Sequence, residues 1–345
     1  MKAWTALNGL FLIALFAGTA VPAQTSSSAG HRNPLDEALE LYQQYSGKTV
    51  LRSPKLPPLA EFNKPIPSSD TNGMRIVLEY DLLNHGIQII PHNDVFALAV
   101  EVGWTNSPEA QYLATVKPRP TDASSSASLI PNSADQTPER KAIPPGTIDF
   151  RNADLNQVLD LYGMLVNRTI LRSGQLNSST YALRTQTPLT KSGAIYAVET
   201  LFALNGIAAV EDGTNFIQVV PLRQISNLTL RAPQPIEGEP RIAAERVRFG
   251  GTVFEPGKPP KHFPNSANDV VSFYAELTER SAVHSDKAGR QSVLFKAQTE
   301  LTKSELLYGL ETALALHGLT IIEVDDKTIQ AGYIRERKKA GKKSR

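Results

Sequence analysis

Six histidines, His31, His85, His92, His262, His284 and His317, are the first residues that invite a chemical role. Imidazole is the usual acid–base group and metal ligand near neutral pH. Their spacing argues against both uses. There is no HExxH run and no histidine pair at i, i+4, so no helical turn offers two ring nitrogens to one ion. His85 and His317 each precede a glycine at what reads as a helix end, where a cation suits the helix dipole. Glu79, Glu199 and Glu311 recur at one helical station. Acid catalysis by paired carboxylates needs a second acid at a set distance, and none recurs beside them. The expectation is a solvated or packing glutamate. Tyr42, Tyr162 and Tyr274 lie on apolar helix stripes and read as core residues with the hydroxyl at the edge. Lys191-Ser192 and Lys303-Ser304 imitate a Ser–Lys pair, yet neighbours on a first helical turn point apart. No GxSxG, Walker loop or GxGxxG is present. The reading is of no catalytic, cofactor-binding or metal-binding residue, and of no cofactor.

Composition narrows the classes further. The 345 residues are 41% apolar and 20% charged, with no cysteine. Disulfides, thiolate metal sites and cysteine nucleophiles are thereby excluded, and the apolar share excludes a disordered chain. The net charge is only +2, but residues 335–345 (RERKKAGKKSR) carry seven basic residues and one acid. That basic tail reads as solvated, or as a contact for an anionic membrane face or acidic partner.

The N-terminus, MKAWTALNGLFLIALFAGTAVPAQ, has a basic Lys2, an apolar stretch from Leu10 to Ala17, and small residues at Val21 and Ala23. This is the layout of a cleavable export signal over residues 1–23. The stretch is too short to span a bilayer comfortably. A cysteine-free exported chain is expected in a bacterial periplasm, where nucleotide- and nucleic-acid-dependent activities lack their substrates.

The decisive feature is repetition. Thr185–Ile207 and Ala297–Leu319 share 12 of 23 residues at a constant spacing of 112. Upstream, Leu159, Tyr162 and Leu165 fall on Val271, Tyr274 and Leu277. A weaker copy stands 120 residues earlier, where Leu39, Tyr42 and Tyr45 hold the same stations and VLRS at 50–53 matches ILRS at 170–173. That first copy departs most between Pro54 and Asn72.

The middle copy displays the elements best. Ile148 and Phe150 alternate with polar residues as a half-buried strand. Asn152 and Asp154 open a helix whose stripe is Leu155, Val158, Leu159, Tyr162, Leu165 and Val166. Strands follow at Thr169–Leu171 and Tyr181–Leu183. Thr190 is an N-cap for the second helix, and Thr302 with Glu305 makes a capping box in the third copy. Gly86, Gly206 and Gly318 suit a left-handed helix stop. Strands at Ile207–Val210 and Phe216–Val220 flank an Asp-Gly turn. The expected fold class is α+β: tandem βαββαββ modules, each with two helices on one face of a small mixed sheet, joined by Pro/Ser-rich linkers.

The expected boundaries are 1–23 signal, 34–101 first divergent module, 102–146 linker, 147–221 second module, 222–261 linker, 262–333 third module and 334–345 basic tail. Asn106–Gly146 is rich in Pro, Ser and Thr and reads as an extended tether. The second linker contains a candidate strand at Arg241–Phe249.

The run TIDFRNADLNQVLDLYGMLVNRTILRS, continued by LTKSGAIYAVETLFALNGIAAVEDGTNFIQVVP, resembles the N-terminal periplasmic domains of secretins, the outer-membrane channels of type II secretion and type IV pilus machines. Asn152, Asp154, Leu155, Thr169 to Leu171, Leu189-Thr190, Gly206-Ile207 and Gln218–Pro221 carry the likeness. Signal-receiving domains of TonB-dependent receptors share this short fold. It also resembles KH nucleic-acid domains, but their GxxG clamp is missing. A secretin continues into a channel domain, whereas here about a dozen residues follow the third copy. The resemblance implies secretin N-terminal units without the pore, acting in protein transport by protein–protein contact.

The function expected is therefore a periplasmic, non-enzymatic adaptor of a secretin-containing machine. Its partners would be secretin or other envelope proteins, or further copies of itself, with no nucleic acid. Outer-membrane association would come through partners, and direct membrane contact only through the tail. The rivals are a ligand- or glycan-binding or signal-receiving module, and an enzyme with a site between modules.

Overall fold

The computed structural model describes residues 33–335 except 63, 66–68, 118–141, 177–178, 235, 237, 251, 254–260 and 263–264. Residues 1–23, read above as an export signal, His31, much of the first linker and the tail beyond Arg335 lie outside the described residues. The chain is α+β, with seven helices and seventeen strands among the described residues.

Asn33 caps α1 (Pro34–Ser46), its side chain accepting from the Leu35 amide at 3.1 Å, and Pro34 presets the first helical turn. Gly47 stops the helix at φ +66, a conformation that favours glycine. Strand β1 (Thr49–Arg52), helix α2 (Thr71–Asn84) and the hairpin β2 (Ile87–Pro91) and β3 (Phe96–Glu101) complete a first unit. β3 lies between the others, parallel to β1 and antiparallel to β2. Helix α3 (Pro108–Leu113) follows.

The second unit runs β4 (Asp149–Ala153), α4 (Leu155–Val166), β5 (Thr169–Arg172), β6 (Tyr181–Arg184), α5 (Lys191–Leu204), β7 (Ile207–Asp212) and β8 (Phe216–Pro221). Asp154 and Gln157 form a capping box on α4, and Thr190 caps α5. Its strands do not form one sheet. β5, β8 and β7 form a three-stranded sheet, while β4 and β6 pair as a separate ribbon. This corrects the expected single mixed sheet: the ribbon has left its own sheet for the edge of the neighbouring unit.

The connector carries β9 (Arg241–Ile242), β10 (Arg248–Phe249) and the pair β11 (Thr252–Val253) and β12 (Lys261–His262). The third unit has α6 (Ala267–Leu277), β13 (Ser281–Val283), β14 (Phe295–Lys296), β15 (Leu301–Thr302), α7 (Lys303–Leu316), β16 (Leu319–Asp325) and β17 (Thr328–Tyr333). Thr302 and Glu305 cap α7. Again three strands, β13, β17 and β16, form the sheet, in the order found twice before.

Two expectations about the linkers need correcting. Residues 108–113 were expected in a tether, yet they form α3. Ser107 caps it, Pro108 starts it, and Trp104 and Leu113 are buried in the core that contains α5. The second connector is stitched onto the third unit, β9 on β15 and β10 on β14. Phe249 faces Phe295 as Phe150 faces Leu183. The first strand of the third unit is thus β10, set ahead of residue 262, and the β11–β12 hairpin is the insertion that shifts it.

Every three-stranded sheet is used on both faces in the first two units. In the first, Val50, Ala97 and Ala99 pack on α1 and α2, while Leu51, Phe96, Leu98 and Val100 join the core of the second unit. The two-residue alternation of a strand divides them. In the second, Ile217 and Val219 face inward, and Leu171 and Phe216 join the third unit's core.

Candidate functional site: the repeated junction between units

The sequence-selected residues do not converge. His85 and His317 cap α2 and α7, each ring Nδ1 within 2.8 Å of a carbonyl oxygen, of Asp81 and Ala313. Burial, with Arg172 nearby, holds the His317 imidazole below its ordinary pKa. The expected cation on the helix dipole is therefore a neutral, hydrogen-bonded ring there. His262 lies on β12, and His284 is exposed beyond β13. Ser192 bonds the cap Thr190, and Ser304 donates to Glu239, so neither serine meets the lysine beside it.

The glutamates and tyrosines, read separately in the sequence, are partners. Tyr42 donates to Glu79 at 3.0 Å, Tyr162 to Glu199 at 2.6 Å and Tyr274 to Glu311 at 2.5 Å. Each pair ties the first helix of a unit to the second. Burial, then the Glu79 charge and hydrogen bond, push Tyr42 up to about 12. Tyr274 is raised for the same reasons. Both phenols are thereby held in the neutral, donating form. The signal was available: 37 residues separate the partners in all three copies.

The arrangement that does recur as a site is the contact between successive units. The Gln186 amide donates to Thr49 Oγ1 at 2.9 Å, and the Gln298 amide to Thr169 Oγ1 at 3.2 Å. Arg184 pairs with Glu40, and Lys296 with Asp160. Tyr196 lies on Phe96, ring centres 6.1 Å apart, and Tyr308 on Phe216 at 5.7 Å. The Tyr196 hydroxyl reaches His92 Nε2, and the Tyr308 hydroxyl reaches Asp212. Along the sequence the sheet-side residues move by 120 and the incoming residues by 112. The second helix and ribbon of each incoming unit thus close on the outer face of the preceding sheet, twice, with equivalent atoms.

His92, set aside in the sequence for its spacing, and Asp212, read there as part of a turn, are brought into the junctions. His92 stacks on Tyr196, ring centres 5.6 Å apart, and burial holds its pKa down. Asp212, almost wholly buried, accepts from Gln218 at 2.7 Å and from the Ala232 amide at 3.0 Å as well as from Tyr308. Burial and that last bond raise Tyr308.

Beside each junction lies an open groove, of about 280 Å³ at the first and about 200 Å³ at the second. Asp36, Glu40, Arg52 and Arg184 line the first; Asn156, Asp160, Arg172 and Lys296 line the second. In the first groove the charges are joined to one another, Arg52 to Asp36 and Arg184 to Glu40. In the second, Lys296 pairs with Asp160 and Arg172 bonds Asn156, while the buried Arg172 Nε keeps no hydrogen-bond partner among the described residues. Among the described residues no cluster of three metal-ligating side chains occurs, and no helix is long and apolar enough to cross a membrane. No protein-family model matches the chain, and no curated protein matches it.

Proposed function

We propose that this chain is an exported, non-enzymatic adaptor that works by protein–protein contact through its repeated units, in the periplasm, as part of a secretin-containing secretion or pilus-type machine. One observation carries the reading. The same unit-to-unit contact is made twice within the chain, by equivalent residues, so the units are built to recognise units of their own kind. Each such contact is a helix laid on an apolar sheet face with a polar rim, which is the anatomy of a binding surface. The secretin-like sequence run names the class of partner that carries such units. The signal-like residues 1–23 supply the compartment.

The test is affinity capture with the tagged chain expressed in a diderm bacterium whose envelope is then solubilised. Recovery of secretin-class or pilus-class envelope components is expected. Recovery of none, or fractionation of the chain with the cytoplasm, would overturn the reading.

A further inference from the structure

The two internal junctions leave one half-junction at each end of the molecule. At the head, α2 presents Ile76, Val77, Tyr80 and Leu83, which are 52%, 53%, 67% and 48% exposed. Their counterparts 120 residues on, Tyr196, Ala197, Thr200 and Ala203, are buried in α5, 6% exposed or less, and Tyr196 is on the first unit's sheet. At the tail, Val283 of β13 is 46% exposed, whereas Leu51 and Leu171, its counterparts, are wholly buried under the next unit. Ser281 repeats the pattern: Thr49 and Thr169 are buried, and Ser281 is exposed.

We propose that the exposed face of α2 in one molecule docks on the outer face of the β13–β17–β16 sheet of a second copy, so that the chain associates head to tail. The interface is continuous with one the chain already builds twice. The sizes of the side chains favour a second copy of this chain as the occupant. The outer face of the middle strand reads Phe96, Leu98 and Val100 in the first sheet and Phe216, Gln218 and Val220 in the second. In the last it reads Thr328, Gln330 and Gly332. The helix positions change in the opposite sense. They are Tyr308, Gly309, Thr312 and Ala315 in α7, but Ile76, Val77, Tyr80 and Leu83 in α2. At Gly332 the space is already taken by Ile322 of the same sheet, so the room left for the bulky face of α2 lies over Thr328 and Gln330.

The contact is heterologous, with different surfaces on the two partners, and it therefore produces rings or open chains instead of closed dimers. The first unit has no described counterpart of the β4–β6 ribbon, so the contact between copies rests on helix and sheet alone and is weaker than the internal ones. The inference deepens the adaptor reading and rests on it for its biological purpose.

Sedimentation velocity of the chain without its export segment is the test. The average mass should rise with concentration past that of a dimer. Val77→Asp at the head and Val283→Asp at the tail should each weaken self-association about tenfold or more, because each places a charge in an apolar contact. An equal mixture of the two variants should form dimers and nothing larger, since each molecule keeps one competent end. A wild-type chain that stays monomeric, a single variant that assembles as the wild type does, or a mixture without dimers would overturn the proposal. Circular dichroism checks that each variant folds. If Val77→Asp does not, Tyr80→Lys at the more exposed neighbouring position takes its place. Affinity capture with Val77→Asp separates the two readings. Machine components recovered by a chain that does not self-associate leave the adaptor function standing. Assembly as described with empty captures removes the function and leaves the assembly.

Discussion

Of the three helix-to-helix bonds, that between Tyr162 and Glu199 is the one that lies wholly inside a core. Glu199 is 6% exposed, whereas Glu311 is solvent-facing. A buried carboxylate that loses a donor costs more than an exposed one, because water cannot take the donor's place. Tyr162→Phe is therefore expected to destabilise the chain by about 1–3 kcal/mol. Tyr274→Phe should cost clearly less, although the bond it removes is equally short. Urea midpoints at constant m-value check the order, and equal losses would refute it. These residues also mark how far a sequence can be read. The caps Thr190, Thr302 and Glu305 were legible because they act within one turn. The recurrence of Tyr and Glu was legible too, but their bond was hidden because it joins two helices.

Helix α7 approaches the second unit closely at Gly309. A side chain there would put its Cβ 3.0 Å from both Phe216 and Phe295. Gly309→Val is expected to lift α7 from the Phe216 ring and cost about 1–3 kcal/mol through overpacking. Loss of the Tyr308–Phe216 contact would be read from tyrosine and phenylalanine side-chain NMR signals. Two histidines add a pH dependence at the same level. His92 sits against Tyr196 at the first junction. His317 stands so near Gly174 at the second that a Cβ on that glycine would lie 2.6 Å from the ring. Burial lowers both pKa values below 6.5, so the unfolded chain binds protons that the folded chain refuses. Stability is complete above about 6.5 and falls as the pH drops through that value. The melting temperature should decline between about pH 7 and pH 5, before most carboxylates titrate. The double variant His92→Phe, His317→Asn should flatten that slope, and an unchanged slope would contradict the assignment. Element prediction failed where tertiary contact outweighed local signal. Helix α3 is only six residues long and is held by α5. The candidate strand at Arg241–Phe249 is present at its two ends, as β9 and β10, each two residues long and paired with different strands, β15 and β14.

At the scale of the whole chain, the composition of the connectors suggests beads on tethers, and the junctions say otherwise. Leu51, Phe96, Leu98 and Val100 belong to the first sheet yet are buried with the second unit. Leu171 and Phe216 belong to the second yet are buried with the third. A unit cannot unfold without exposing apolar surface on its neighbour, so the three should melt together, as nearest-neighbour terms in a repeat stack require. The chain has two tryptophans, Trp4 and Trp104. In a chain that starts at residue 24 Trp104 alone remains, buried in the core shared by the first two units. Its fluorescence reports that region, while helical dichroism reports the whole molecule, and the two thermal transitions should coincide. Phe216→Ala gives the sharper test. It removes a buried ring at the second junction, a change that costs about 3–5 kcal/mol, and Phe216 is not in the cluster around Trp104. In a coupled stack the Trp104 transition should nonetheless move to lower temperature together with the dichroism. In a tethered chain the tryptophan transition would stay in place while part of the dichroism melted early. That second pattern would show that the units are energetically separate, however closely their surfaces meet.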